Sequence, residues 1–332
     1  MRALSGHFRS RRTPPTSIPS PRARGENRGF ARLAAAACLV LLAACTDPSQ
    51  SAKTAPPTRP VQPRSALSLP SEGSLALSAY YSKLEADQLA RGLMRIDGGG
   101  PDTPFDDTDL LRDFETLVFS DEYQRGAGSG GRLNRWASPV RIGLEFGPSV
   151  SPALRRQDQA EVSSYAARLA RVTGHPISTV QRDANFHILV VSEDDKPFIE
   201  RRARELLPQL GPADIALLRD LPRQYYCLVL TVPDPETSVH SGAIVLIRDE
   251  HANLMRRACF HEEIAQGLGI PNDSPRARPS IFNDDDEFAL LTAHDEMLLK
   301  MLYDPRLKPG MTATEARPVA AQLARQLTGA GS

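Results

Sequence analysis

The densest group of side chains able to do chemistry lies in one short stretch, Cys259-Phe260-His261-Glu262-Glu263-Ile264-Ala265-Gln266-Gly267-Leu268-Gly269-Ile270-Pro271-Asn272-Asp273. His261-Glu262 opens the zinc motif H-E-x-x-H. In that motif two imidazoles one turn apart bind the metal and the glutamate is the general base. Position 265 is Ala, so the motif is not completed. What remains is two adjacent carboxylates followed by side-chain amides. These are oxygen ligands, which suit hard cations; zinc favours imidazole and thiolate. His261 points about 100° round a helix from Glu262, so the two do not address one site with good geometry.

Shifted by one residue, Glu262-Glu263-x-x-Gln266-x-x-Gly269-x-x-Asn272 resembles the metzincin pattern H-E-x-x-H-x-x-G-x-x-H. Gly269 stands at the family's turn glycine and Glu263 at its general base. Glu262, Gln266 and Asn272 occupy the three zinc-ligand positions, with no His among them. Downstream, Ser280-Ile281-Phe282 falls where metzincins have their Met-turn, with Phe282 in place of Met. Leu291-Thr292-x-x-Asp295 and Leu302-Tyr303 resemble the pattern that begins and ends the last helix of the matrixin-like branch. The resemblance covers roughly 136–305. It implies an α+β, zincin-like domain with a mixed four- or five-stranded sheet, a long motif helix and a C-terminal helix. The missing ligands imply a pseudoenzyme acting as a binding or scaffolding module. The alternative is a divergent hydrolase of envelope peptide or glycan, with Glu263 as base and an atypical metal or none. His261, Asp273 and His294 are auxiliary candidates; no cofactor is expected, and a divalent metal is left open. The blocks HEEIAQGLGIPNDSPRARPSIFNDDDEF and LYDPRLKPGM also resemble a bacterial family of exported lipoproteins classed only as a domain of unknown function, over about 75–312.

A purely structural reading of the same helix stays open. On a helical wheel Leu254, Ala258, Ala265, Leu268 and Gly269 form the apolar face, and Glu262 falls inside it. A buried carboxylate needs hydrogen bonds or a cation. Gln266, Asn272, Arg276 or Arg278 could supply them. The acidic run Asn283–Glu287 lacks the spacing of a calcium loop and reads as a solvated segment. His294-Asp295 reads as capping at the start of the last helix.

Several elements must position these residues. Helical spacing marks 74–94 and a segment opening at Thr108, a small N-terminal helical subdomain over 73–131 that ends in the break GAGSGG at 126–131. Alternation marks strands at 139–146, 186–191, 225–232 and 243–247. Helices are expected at 152–173, over 196–220 with breaks, at 250–268 and at 292–303. The metzincin-like domain thus spans 132–312, and 313–332 reads as a polar tail with a short helical tendency.

The first 44 residues are an address. Arg28 and Arg32 precede an unbroken small-apolar run, Leu33–Ala44, of 12 residues. A membrane span needs about 20, so this is the pattern of a secretory signal. It ends in Leu42-Ala43-Ala44-Cys45, which resembles a bacterial lipobox with Cys45 as the lipidated residue. A Pro-rich tether follows over 45–72. Thr46 after the cysteine weakly favours the outer membrane. The expected partners are a membrane, through the lipid, and an unidentified envelope protein or peptide.

The chain carries 40 basic and 40 acidic side chains, which excludes a strongly basic nucleic-acid binder. Of its 4 cysteines, Cys38 lies in the signal and Cys45 at the lipid site, leaving Cys227 and Cys259. An even pair in an exported domain suggests a disulfide, two buried thiols being the alternative.

Overall fold

The computed structural model describes residues 69–119, 131–283 and 285–330. The signal, Cys45, the tether up to residue 68 and most of the break at 126–131 lie outside the described residues. Glu72–Ala90 forms α1 and Asp107–Phe119 forms α2. Then follow β1 (Val140–Phe146), α3 (Pro152–Thr173), β2 (Ile177–Val180), β3 (Phe186–Val191), α4 (Lys196–Leu206) and α5 (Pro212–Arg219). The rest is β4 (Cys227–Pro233), β5 (His240–Arg248), α6 (Asn253–Gly267), α7 (Ala293–Leu302) and α8 (Ala313–Thr328).

The strands make one mixed sheet of five in the order β2-β1-β3-β5-β4. Neighbours are parallel except β4, which pairs antiparallel with β5 at one edge. Successive side chains of a strand face opposite ways, and the sheet uses this to build two cores. Phe186, Ile188 and Val190 of β3 enter the larger one, together with α2, α3, α6 and α7. Leu189 and Val191 face the smaller one, with Ile199 and Ala203 of α4 and Ile215 and Leu218 of α5. The near-continuous apolar runs of β3 and β5 follow from burial on both faces.

Three expectations change. A second strand, β2, was hidden in Ile177-Ser178-Thr179-Val180, whose short half-polar pattern gives little period-2 signal. α1 and α2 do not build a core of their own: Leu110, Phe114 and Leu117 join the larger core, and Tyr81 packs edge-on against Tyr226 and His251. The segment from 313 is no loose tail. Thr312 and Glu315 form a capping box, and Ala316, Ala320, Leu323 and Ala324 are buried, with α8 lying against α2. Its apolar stripe is mostly alanine, which reads as polar composition although it fits a close helix contact. Among the described residues, no helix is long and apolar enough to cross a membrane.

Candidate functional site

α6 lies on β4 and β5 within the larger core. Its N-cap, Ala252, has no capping side chain. Glu85 of α1 serves instead, accepting from the Met255 amide at 2.7 Å. One turn on, Cys259 is bonded to Cys227 of β4, with a Cα–Cα distance of 5.9 Å. The disulfide therefore ties the edge strand to the helix that carries the carboxylates.

The far end of α6 is fixed just as firmly. Trp136 donates to the Gly267 carbonyl and Tyr303 to the Leu268 carbonyl, each at 2.8 Å. These bonds satisfy carbonyls that a helix end leaves open. Gly269 follows with φ 129°, and a Cβ there would lie 2.3 Å from the Asn134 carbonyl oxygen. Only glycine fits both constraints. The chain turns and returns along the helix, so that Gln266 donates to Asp273 at 2.9 Å. Asn272 does not join them. It turns to α2 and donates its side-chain amide to the Leu117 carbonyl at 3.0 Å.

Glu263 is fully buried. Neither carboxyl oxygen has a well-aligned hydrogen-bond partner among the described residues; the same holds for Oε1 of Gln266. Burial holds the Glu263 carboxyl well above the usual carboxylate range, and the Asp273 charge adds to the shift, against a smaller opposing effect of the Val229 backbone amide. Burial thus favours the protonated form of the side chain. Glu262 is buried as well.

His261 points elsewhere, toward α3. Its Nδ1 accepts from the Leu291 amide at 3.1 Å and its Nε2 faces Glu161 at 3.2 Å. The ring stacks on Tyr165 with centroids 4.0 Å apart. Both ring nitrogens are occupied, so His261 is a latch between α6, α3 and the 291 segment. His294 is wholly buried at the start of α7, with Nε2 3.3 Å from Asp113 of α2. Burial opposes its charge, but the Asp113 and Asp295 carboxylates outweigh it and raise the pKa. Asp295 accepts from Ser280 Oγ at 2.6 Å, the Ile281 amide at 3.1 Å and Thr292 Oγ1 at 2.8 Å. That carboxylate pins the 280–282 turn to α7, and Phe282 in the turn is fully buried in the same core as Ile264 and Leu268.

The sequence-predicted residues thus separate into groups. Glu263, Gln266 and Asp273 come together at the end of α6. Asn272, His261 and His294 are each engaged elsewhere. Zinc does not fit this set, which offers neither imidazole nor thiolate at the Glu262, Gln266 and Asn272 positions. Among the described residues, no three His, Cys, Asp or Glu side chains are placed to hold a metal ion. Sequence reasoning missed Asp113 and Glu161, the partners of the two histidines, because both lie on other elements over 90 residues away in the chain. An open cavity of about 770 Å³ lies apart from this helix, beside β1, β3 and α3, with Gly143, His187 and the Glu145–Arg202 ion pair in its wall.

No curated protein and no solved structure matches this chain. A family model described as "Protein of unknown function (DUF2927)" matches residues 107–322, from α2 into α8, and the chain belongs to that family.

Proposed function

We propose that this chain is a lipid-anchored protein of the bacterial cell envelope whose domain is a metzincin-like module without peptidase chemistry, acting by binding or scaffolding. The observation that carries the second part is the state of Glu263. A general base must reach its proton donor and be ionised at working pH. Glu263 is sealed from solvent, and burial disfavours its ionised form. The side chains beside it serve the fold: Gln266 holds the return of the chain at Asp273, and Asn272 holds α2. The mixed sheet, the long helix, the glycine turn and the buried residue at the Met-turn position support the metzincin comparison. The lipobox, the tether and the bonded cysteine pair support export.

One observation favours a second reading. Both Glu263 oxygens and Oε1 of Gln266 lack a well-aligned hydrogen-bond partner among the described residues while Asp273 stands close by. An oxygen-ligated divalent cation would satisfy all of them, in place of a proton. Metal analysis of the purified full chain separates the two. The proposal expects no metal at constant stoichiometry. One metal per chain, lost in Glu263→Gln, would favour the cation. The anchor is tested by Cys45→Ala: lipid mass and membrane fractionation should both be lost, and unchanged behaviour would remove it.

A further inference from the structure

A helix on a protein surface ordinarily turns its apolar stripe inward; α1 turns Leu77, Tyr81 and Leu84 toward the core but leaves a second apolar stripe outside. Its buried line is Ser74, Tyr81 and Gln88. Each is held by a hydrogen bond: Ser74 to Glu250 and Tyr81 to the Arg223 carbonyl, both at 2.9 Å, and Gln88 to Asp286. Another face carries Leu75, Ala79, Ser82, Ala86 and Leu89. These recur at steps of four and three and lie within about 40° of one line along the helix. None is charged and all are exposed. Leu75 is 56% and Leu89 48% exposed. Among the described residues, the large apolar side chains left exposed are Leu69, Leu75, Tyr80, Leu89 and Ile96, all in or beside this one helix.

We propose that this stripe is a membrane-docking surface that lies on the bilayer to which Cys45 is anchored. The inference rests on the lipoprotein reading above. The occupant follows from chain length: 23 residues separate Cys45 from Leu69. Fully extended they span at most about 80 Å, and at the rise of a Pro-rich linker roughly 70 Å. α1 is the first element beyond that tether, so a bilayer surface is always within its reach. The stripe from Leu75 to Leu89 is about 21 Å long. A patch that size binds lipid weakly by itself. Tethering raises the local concentration of the surface, so a weak contact is populated. Interfacial helices bury such faces at the boundary of headgroups and acyl chains.

The test uses the full lipidated chain in phosphatidylethanolamine–phosphatidylglycerol vesicles. A cysteine introduced at Leu75, Leu89 or Ser178 carries an environment-sensitive fluorophore; Cys227 and Cys259 are bonded and do not label. Ser178, exposed on β2, is the control. Doxyl lipids should quench labels at 75 and 89 severalfold more than at 178. Leu75→Ser with Leu89→Ser should remove the quenching of a label at 79. Equal quenching at all three positions would overturn the proposal. So would a blue shift at 75 that depends on protein concentration without vesicles, which would mean that a second copy covers the stripe. The mass of the N-terminal peptide reads lipidation independently. Lipid present without quenching sinks the docking alone; lipid absent sinks the anchor and the docking with it.

Discussion

Gln266 and Asp273 hold each other at 2.9 Å across the turn that closes α6. The contact is possible because the chain reverses at Gly269, whose φ of 129° leaves no room for a Cβ beside the Asn134 carbonyl. Gly269→Ala should therefore cost about 2–3 kcal/mol or more, as backbone strain and a clash act together. Denaturant unfolding of the variant checks this. Gly329→Ala, where a Cβ meets nothing within 4 Å, is the control for a positive φ without the clash.

Glu263 gives a pH prediction with a fixed sign. Its carboxyl titrates higher in the fold than in the unfolded chain. A raised group contributes its stability fully below its unfolded value, ordinarily 4.5, and loses it as pH rises through the folded value. Glu263→Gln has no such proton. The melting temperature of the variant minus that of the parent should therefore climb as pH rises above 4.5. A flat difference would mean that Glu263 is not held protonated.

The Cys227–Cys259 bond closes a loop with a sequence separation of 32. Loop entropy makes this worth about 4 kcal/mol. Cys227→Ser with Cys259→Ser should lower the unfolding free energy by that order. Without reductant, neither cysteine of the native chain should take an alkylating label. Labelling of both would show that the pair is open.

Much of this was legible in the sequence, for identifiable reasons. β1, β3, β4 and β5 show as apolar or alternating runs, and Ser151-Pro152 and Gly174 mark both ends of α3. The Cys227–Cys259 pair follows from export and an even count. The turn at Gly269 follows from helix termination chemistry, but that Asp273 rather than Asn272 returns to Gln266 does not. Other features are set by tertiary contacts. Nothing local tells His261 to bind Glu161, or Asn272 to reach the Leu117 carbonyl. α8 was obscured because alanine covers a neighbouring helix without raising hydrophobicity much. The exposed second stripe of α1 was also invisible, since the inward Ser74 and Gln88 make sense only once Glu250 and Asp286 are placed beside them.

We propose that the end of α6 is a metzincin-type site that lacks its metal ligands. The triple substitution Glu262→His, Gln266→His and Asn272→His, the last of which also releases the Leu117 carbonyl that Asn272 now holds, tests this. Zinc titration by calorimetry, with far-ultraviolet circular dichroism and thiol labelling to verify folding, compares the variant with the parent full chain. The account predicts close to one zinc per variant chain and none per parent chain. A folded variant that binds no zinc, or a parent that already binds one, would contradict it.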